Sequence, residues 1–219
     1  MIKRCLLGIC LLVLLLPFTM AAQDPMHYRD IPLGDSIKKT TSLLKKRGFK
    51  VVKSQVDHDD LFYGDHQEVF LLGEQDGYPA VIHLEASAKT KTVFTLDVIL
   101  REFIDIDEAL EHLPRLEADE SIKAPSYERK QDQPGMGLVE IPDRKGRLTK
   151  YVTSPLLSFK YYFYESTEHN QDNYRGCAII TVRDMMMGHE HIIETHYYDA
   201  KAARLAESEG NGKWAGKLR

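Results

Sequence analysis

The chain has 219 residues, and 29 Lys and Arg against 33 Asp and Glu leave a formal charge of −4 at pH 7 with His neutral. A net-negative chain lacks the basic excess that binding to a phosphate backbone needs, which argues against nucleic acid as a partner. It is long enough to bury a core without covalent staples.

The first 22 residues read as a cleavable export signal. Lys3 and Arg4 precede an apolar run from Cys5 to Leu16 that Pro17 ends, and Thr19, Ala21 and Ala22 offer small residues for cleavage. The run is shorter than the roughly 20 residues of a membrane-spanning helix, so no membrane span is expected after cleavage. Cys10 lies inside the run behind bulky Ile9, which is unlike a lipid-attachment cysteine. The expected location is therefore periplasmic or secreted. Removing the leader's two basic residues takes the charge from −4 to −6, and Cys177 becomes the single remaining cysteine. It sits in an apolar run where a buried inert thiol is expected.

A helix is predicted from Asp35 to Arg47, with Asp35 as cap, Ile37, Leu43 and Leu44 on one side, and Gly48 as its stop. The period then changes to two. Phe49 to Ser54, Asp60 to Gly64, Glu68 to Gly73, Pro79 to Ser87 and Thr92 to Arg101 read as strands with connections too short for helical crossovers, hence antiparallel. A second helix, Asp107 to Ile122, should break or kink at Pro114. The polar stretch 123–137 reads as a linker or flexible loop. Strands are predicted again at Leu138 to Ile141, Leu148 to Thr153, Leu156 to Glu165, Gly176 to Asp184 and His189 to Tyr198. A short helix from Asp199 to about Glu207 and a mobile tail over 210–219 follow. The predicted class is α+β, with helices packed on one face of antiparallel sheet. The order suggests two helix-then-strands units, 23–122 and 138–209.

Asp30-Ile31-Pro32-Leu33-Gly34-Asp35-Ser36-Ile37 and Lys45-Lys46-Arg47-Gly48-Phe49 resemble the start of many small, largely uncharacterised exported proteins of gut and oral anaerobes. Cys177-Ala-Ile-Ile-Thr-Val182 and Tyr197-Tyr198-Asp199 are similar to that group's C-terminal pattern. The resemblance implies a layout like the β-lactamase-inhibitor-protein folds. The group's aromatic second helix is replaced here by Glu108 to Pro125, and the asparagine of its last helix by Ala200-Lys201-Ala202. The shared motifs are structural and imply no activity.

Three features carry chemistry. In a strand from His189 to Tyr198, His189 and His191 project from one face and Glu194 and His196 from the other. The pair could serve copper or zinc in an exported metal-binding protein, although two imidazoles are fewer than the three or four ligands of a zinc site. Asp57-His58-Asp59-Asp60, with Asp65 and His66, lacks the calcium-loop glycine and distal glutamate and reads as a capped turn, with a cation site as its alternative. Along Phe159 to Tyr164, alternation separates Phe159, Tyr161 and Phe163 from Tyr162 and Tyr164. Tyr161, Tyr162 and Tyr164 are the candidate surface for an envelope or extracellular protein, a glycan or a small ligand.

There is no Gly-x-Ser-x-Gly elbow, P-loop or dinucleotide glycine pattern, so no cofactor and no catalytic residue is expected. The leading expectation is an exported, non-catalytic binding protein. A periplasmic metal-binding protein is the first alternative and a hydrolase with converging acid and base groups the second.

Overall fold

The computed structural model describes residues 26–58, 63–122, 126–132, 136–143, 145–186 and 190–210. The predicted leader, His189 and residues 211–219 of the predicted tail lie outside them. Eleven strands and three helices follow in the order β1 (His27–Tyr28), β2 (Ile31–Pro32), α1 (Ile37–Lys46), β3 (Lys50–Asp57), β4 (His66–Gln75), β5 (Tyr78–Ala86) and β6 (Val93–Phe103). Then come α2 (Ile106–Ile122), β7 (Tyr127–Asp132), β8 (Gly137–Pro142), β9 (Leu148–Tyr164), β10 (Tyr174–Met185), β11 (Glu190–Asp199) and α3 (Ala200–Glu209). Nine strands make one antiparallel sheet, β3-β4-β5-β6-β11-β10-β9-β7, with β8 also paired to β9.

The α+β class with helices on one face is therefore corrected. Among the described residues strand accounts for 56% and helix for 21%, which makes this a β-rich fold with three short helices. Those helices do not form one layer either. Ile37 and Leu44 of α1 and Ala109 and Leu113 of α2 join the main core with Leu71, Ile82, Leu96, Ile180 and Tyr161. Ala202, Ala203 and Ala206 of α3 pack with Phe94 and Tyr198 on the opposite face. Nor does the sheet divide into two units: β6 and β11 pair from Thr95–Tyr198 to Phe103–His191. Both faces being covered explains why β6 is buried at almost every position.

Local differences from the predicted elements have identifiable causes. Ser36, not Asp35, caps α1: its Oγ accepts the Lys39 amide at 3.4 Å, while the Asp35 carboxylate takes Lys39 Nζ at 2.8 Å. Helix α2 runs on through Pro114. Within the stretch predicted as linker, Tyr127–Asp132 is strand β7, held by β9 at the sheet edge. The two strands expected on either side of Pro155 are one 17-residue strand. A proline is tolerated there because the ladder to β10 shifts register between Val182 and Arg183, with Pro155 opposite Arg183. Glycine is required at Gly176, where a β-carbon would collide with the Tyr198 carbonyl and the Met26 side chain.

The second face is what positions the site. Near one end Val139 and Ile141 of β8 pack on Val81, Ile99 and Ile192. Near the other lies the α3 cluster around Phe94. Between these two apolar patches the outward positions of four adjacent strands, β4, β5, β6 and β11, are mainly polar, with Phe70 among them. Among the described residues no helix is long and apolar enough to cross a membrane.

Candidate metal centre

Strands β4 and β5 each carry the sequence His-x-Glu, as His66-Gln67-Glu68 and His83-Leu84-Glu85. Period-two alternation puts each His and Glu on the same face, while Val69 and Leu84 point into the core. The register sets Glu68 directly opposite Glu85, His83 opposite Asp97 of β6, and Asp97 opposite His196 of β11. One cross-strand strip thus gathers three imidazoles and three carboxylates.

Their contacts are specific. Asp97 accepts from two rings, His83 Nδ1 at 3.1 Å and His196 Nδ1 at 2.6 Å. Gln55 Nε2 donates to Glu68 Oε2 at 2.6 Å, and Glu68 Oε1 lies 3.2 Å from His83 Nε2. That last pair is close but is not aligned as a hydrogen bond. The Phe70 ring stacks on His83 at 4.3 Å and fixes its plane.

His66 is the most telling group. It is 2% exposed, and its Nδ1 contacts the Gly64 carbonyl at 3.0 Å. A carbonyl can only accept, so Nδ1 carries the proton. In the neutral ring Nε2 then presents a lone pair. That buried nitrogen has no hydrogen-bond partner and lies 3.9 Å from Glu85 Oε1.

The electrostatics follow from this crowding. Burial works against charge on His83, but Asp97 and Glu68 outweigh it and raise its pKa to about 10. Burial likewise opposes ionisation of Glu68, yet His83 and Gln55 lower its pKa. At Glu85 burial wins and the pKa rises, with His83 only partly offsetting it. Asp97 is held low against burial by His196 and His83, and His196 is raised by Asp97.

Two overlapping sets of three donors result, Glu68–His83–Glu85 and Asp57–His66–Glu68, with the donor atoms in each set within 4.8 Å of one another. Two ligands of one tetrahedral zinc ion, each about 2.0–2.1 Å away, stand about 3.3–3.4 Å apart. The 3.2 Å separation of His83 Nε2 and Glu68 Oε1 is close to that edge. Nitrogen and carboxylate donors without thiolate suit zinc and its neighbours in the first transition row. Asp97 behind His83 stands where an outer carboxylate would orient that imidazole toward an ion.

The tyrosines and His191 singled out from sequence fall elsewhere. Tyr161 is buried in the core and offers no partner surface; its hydroxyl donates to Glu117 at 2.7 Å and accepts from Arg129 at 3.2 Å. Tyr162 and Tyr164 are half-buried on the second face, with ring centroids 6.3 and 6.0 Å from Tyr174. His191 is half-buried, its Nδ1 3.8 Å from Asp184 and outside both donor sets, and its expected companion His189 lies outside the described residues. Of the predicted turn, Asp57 and His66 belong to the second donor set, while Asp59 and Asp60 lie outside the described residues. Glu68, His83, Glu85 and Asp97 went unread, although the repeated His-x-Glu at strand period was visible.

No protein family, curated protein or solved structure matches the chain.

Proposed function

We propose that this is an exported metal-binding protein that holds a divalent transition-metal ion, zinc being the best fit, through Glu68, His83 and Glu85. The observation that carries the reading is the arrangement around His83. Its Nδ1 is committed to Asp97, its plane is held by Phe70, and its Nε2 faces Glu68 at 3.2 Å without an aligned hydrogen bond. A ring so oriented needs little rearrangement to ligate, with the metal displacing the proton that Asp97 and Glu68 favour on it. The export half of the proposal rests on the leader pattern of residues 1–22.

Calorimetric titration of the purified chain with zinc tests it. Binding at micromolar affinity or better that falls at least tenfold in His83→Ala is the expected result. An unchanged affinity in that variant sinks the assignment.

A second reading concerns a different surface. Tyr162, Tyr164 and Tyr174 cluster beside Lys130, whose ammonium lies 5.4 Å from the Tyr162 ring centroid. Aromatic rings of this kind anchor protein or glycan partners. Crosslinking from envelope extract, compared with a Tyr162→Ala and Tyr164→Ala double variant, tests that surface independently of the metal.

A further inference from the structure

We infer that the centre holds two cations, with a second position at Asp57, His66 and Glu68 and with Glu68 bridging it to the first. This rests on the metal-binding reading of Glu68, His83 and Glu85 and extends it.

The arrangement follows from strand geometry. An antiparallel pair has a local two-fold axis between directly opposed residues. Because Glu68 and Glu85 oppose each other, that axis relates His66-Gln67-Glu68 to His83-Leu84-Glu85. Each imidazole then falls diagonally across from the other strand's glutamate: His83 Nε2 to Glu68 Oε1 at 3.2 Å, His66 Nε2 to Glu85 Oε1 at 3.9 Å. A donor set assembled on one side of the axis is therefore approximately repeated on the other.

Strand β3 completes the second side. Asp57 pairs opposite His66, and its carboxylate lies within 4.8 Å of the His66 and Glu68 donor atoms. The independent sign of a ligand is His66 itself. It is 2% exposed, its Nδ1 is committed to the Gly64 carbonyl, and its buried Nε2 has no hydrogen-bond partner. A buried ring nitrogen left without a partner is costly, and a cation held between it and the neighbouring carboxylates satisfies both. At 3.9 Å the gap from Nε2 to Glu85 is too long for a hydrogen bond.

Glu68 belongs to both donor sets. Its two oxygens already face different neighbours, Oε1 toward His83 and Oε2 toward Gln55 of β3, the strand that also carries Asp57. A carboxylate shared in this way is suited to bridge two ions a few ångströms apart. Each ion would keep a coordination position open beyond its three protein donors.

The test is zinc stoichiometry, by calorimetry and by elemental analysis of the dialysed full chain. Two zinc ions per chain are expected in the wild type and one in each of His66→Ala and His83→Ala. At least a tenfold loss of affinity at both positions is expected in Glu68→Ala, and two ions should remain in His191→Ala. One ion in the wild type, unaffected by His66→Ala, overturns the second position and leaves the first. Two ions that persist in His66→Ala also overturn it. Absence of any binding removes both. Should His66→Ala not fold, wild-type stoichiometry together with His66→Gln gives the same decision.

Discussion

Glu68 and Glu85 stand directly opposite each other across β4 and β5, on the same face of the sheet and with side chains only 11% and 24% exposed. Like charges in that relation destabilise a sheet by roughly 0.2–1 kcal/mol. Burial adds to this by disfavouring the charged form of Glu85, whose pKa is raised. Glu85→Gln should therefore stabilise the metal-free protein at pH 7 by up to about 1 kcal/mol. It should also shrink the stabilisation that zinc gives. At a zinc concentration about 100 times Kd that stabilisation is about 2.7 kcal/mol in the wild type, a rise in Tm of roughly 5–10 °C. Thermal melts with and without zinc read both effects. A variant less stable without metal and equally stabilised by it would remove Glu85 from the centre.

Asp97 touches no metal position, yet it orients His83 and His196 together. Asp97→Asn keeps the shape of the side chain but leaves two imidazoles facing an uncharged amide. Loss of such an outer carboxylate typically lowers metal affinity 10–100-fold, and zinc titration should show a fall of that size. Breaking the buried pairing should also destabilise the metal-free fold by about 3 kcal/mol, measured by urea unfolding. A stability loss with unchanged affinity would restrict Asp97 to a structural part.

Much of this site could be read from the chain, and the reason lies in one turn. Asp76 and Gly77 both have positive φ and form a two-residue hairpin loop between paired Gln75 and Tyr78. Counting outward from that turn sets Glu68 opposite Glu85, so one donor set follows from local sequence alone. Asp97 and His196 are different. They are 99 residues apart, and only the long-range pairing of β6 with β11 joins them. The fold class went astray for a related reason. Helix and strand patterns are local and most were found, but which face each helix covers depends on strand order. That order places α3 opposite α1 and α2. Likewise Pro155 reads as a strand end, since the irregularity at Leu156 that accommodates it shows only in the pairing of β9 with β10.

Tyr161 separates a core role from a surface one. Burial, followed by its bond to Glu117, pushes the Tyr161 phenol up to about 12. Tyr161→Phe leaves the Glu117 carboxylate without this donor and should cost about 1–2 kcal/mol. Tyr161→Ala opens a cavity among Phe159, Phe163 and Ile180 and should cost about 3–5 kcal/mol. Tyr162→Ala, on the other face and half-exposed, should cost clearly less than Tyr161→Ala. Denaturant midpoints of the three variants order them, and equal losses at Tyr161→Ala and Tyr162→Ala would contradict the placement.

Glu209, the last residue of α3, closes the loop before β6 from 119 residues away. Its carboxylate accepts the amides of Lys89 and Thr90 at 2.8 and 2.9 Å and the Thr90 hydroxyl at 2.8 Å. Burial opposes its charge, but these bonds outweigh burial and lower its pKa below the ordinary 4.5. The sign is that of a depressed carboxyl. The ionised group is favoured in the folded state, so its contribution is fully present above pH 4.5 and is lost as pH falls through the lowered folded value. Glu209→Gln removes the charge without removing the side chain's reach, and it should destabilise the protein at pH 7 by about 1.5–3 kcal/mol. Urea unfolding of wild type and variant at pH 7 and again near pH 3 should show the gap shrinking with acid. A gap that is the same at both pH values would mean that Glu209 holds the loop by packing and not by its charge.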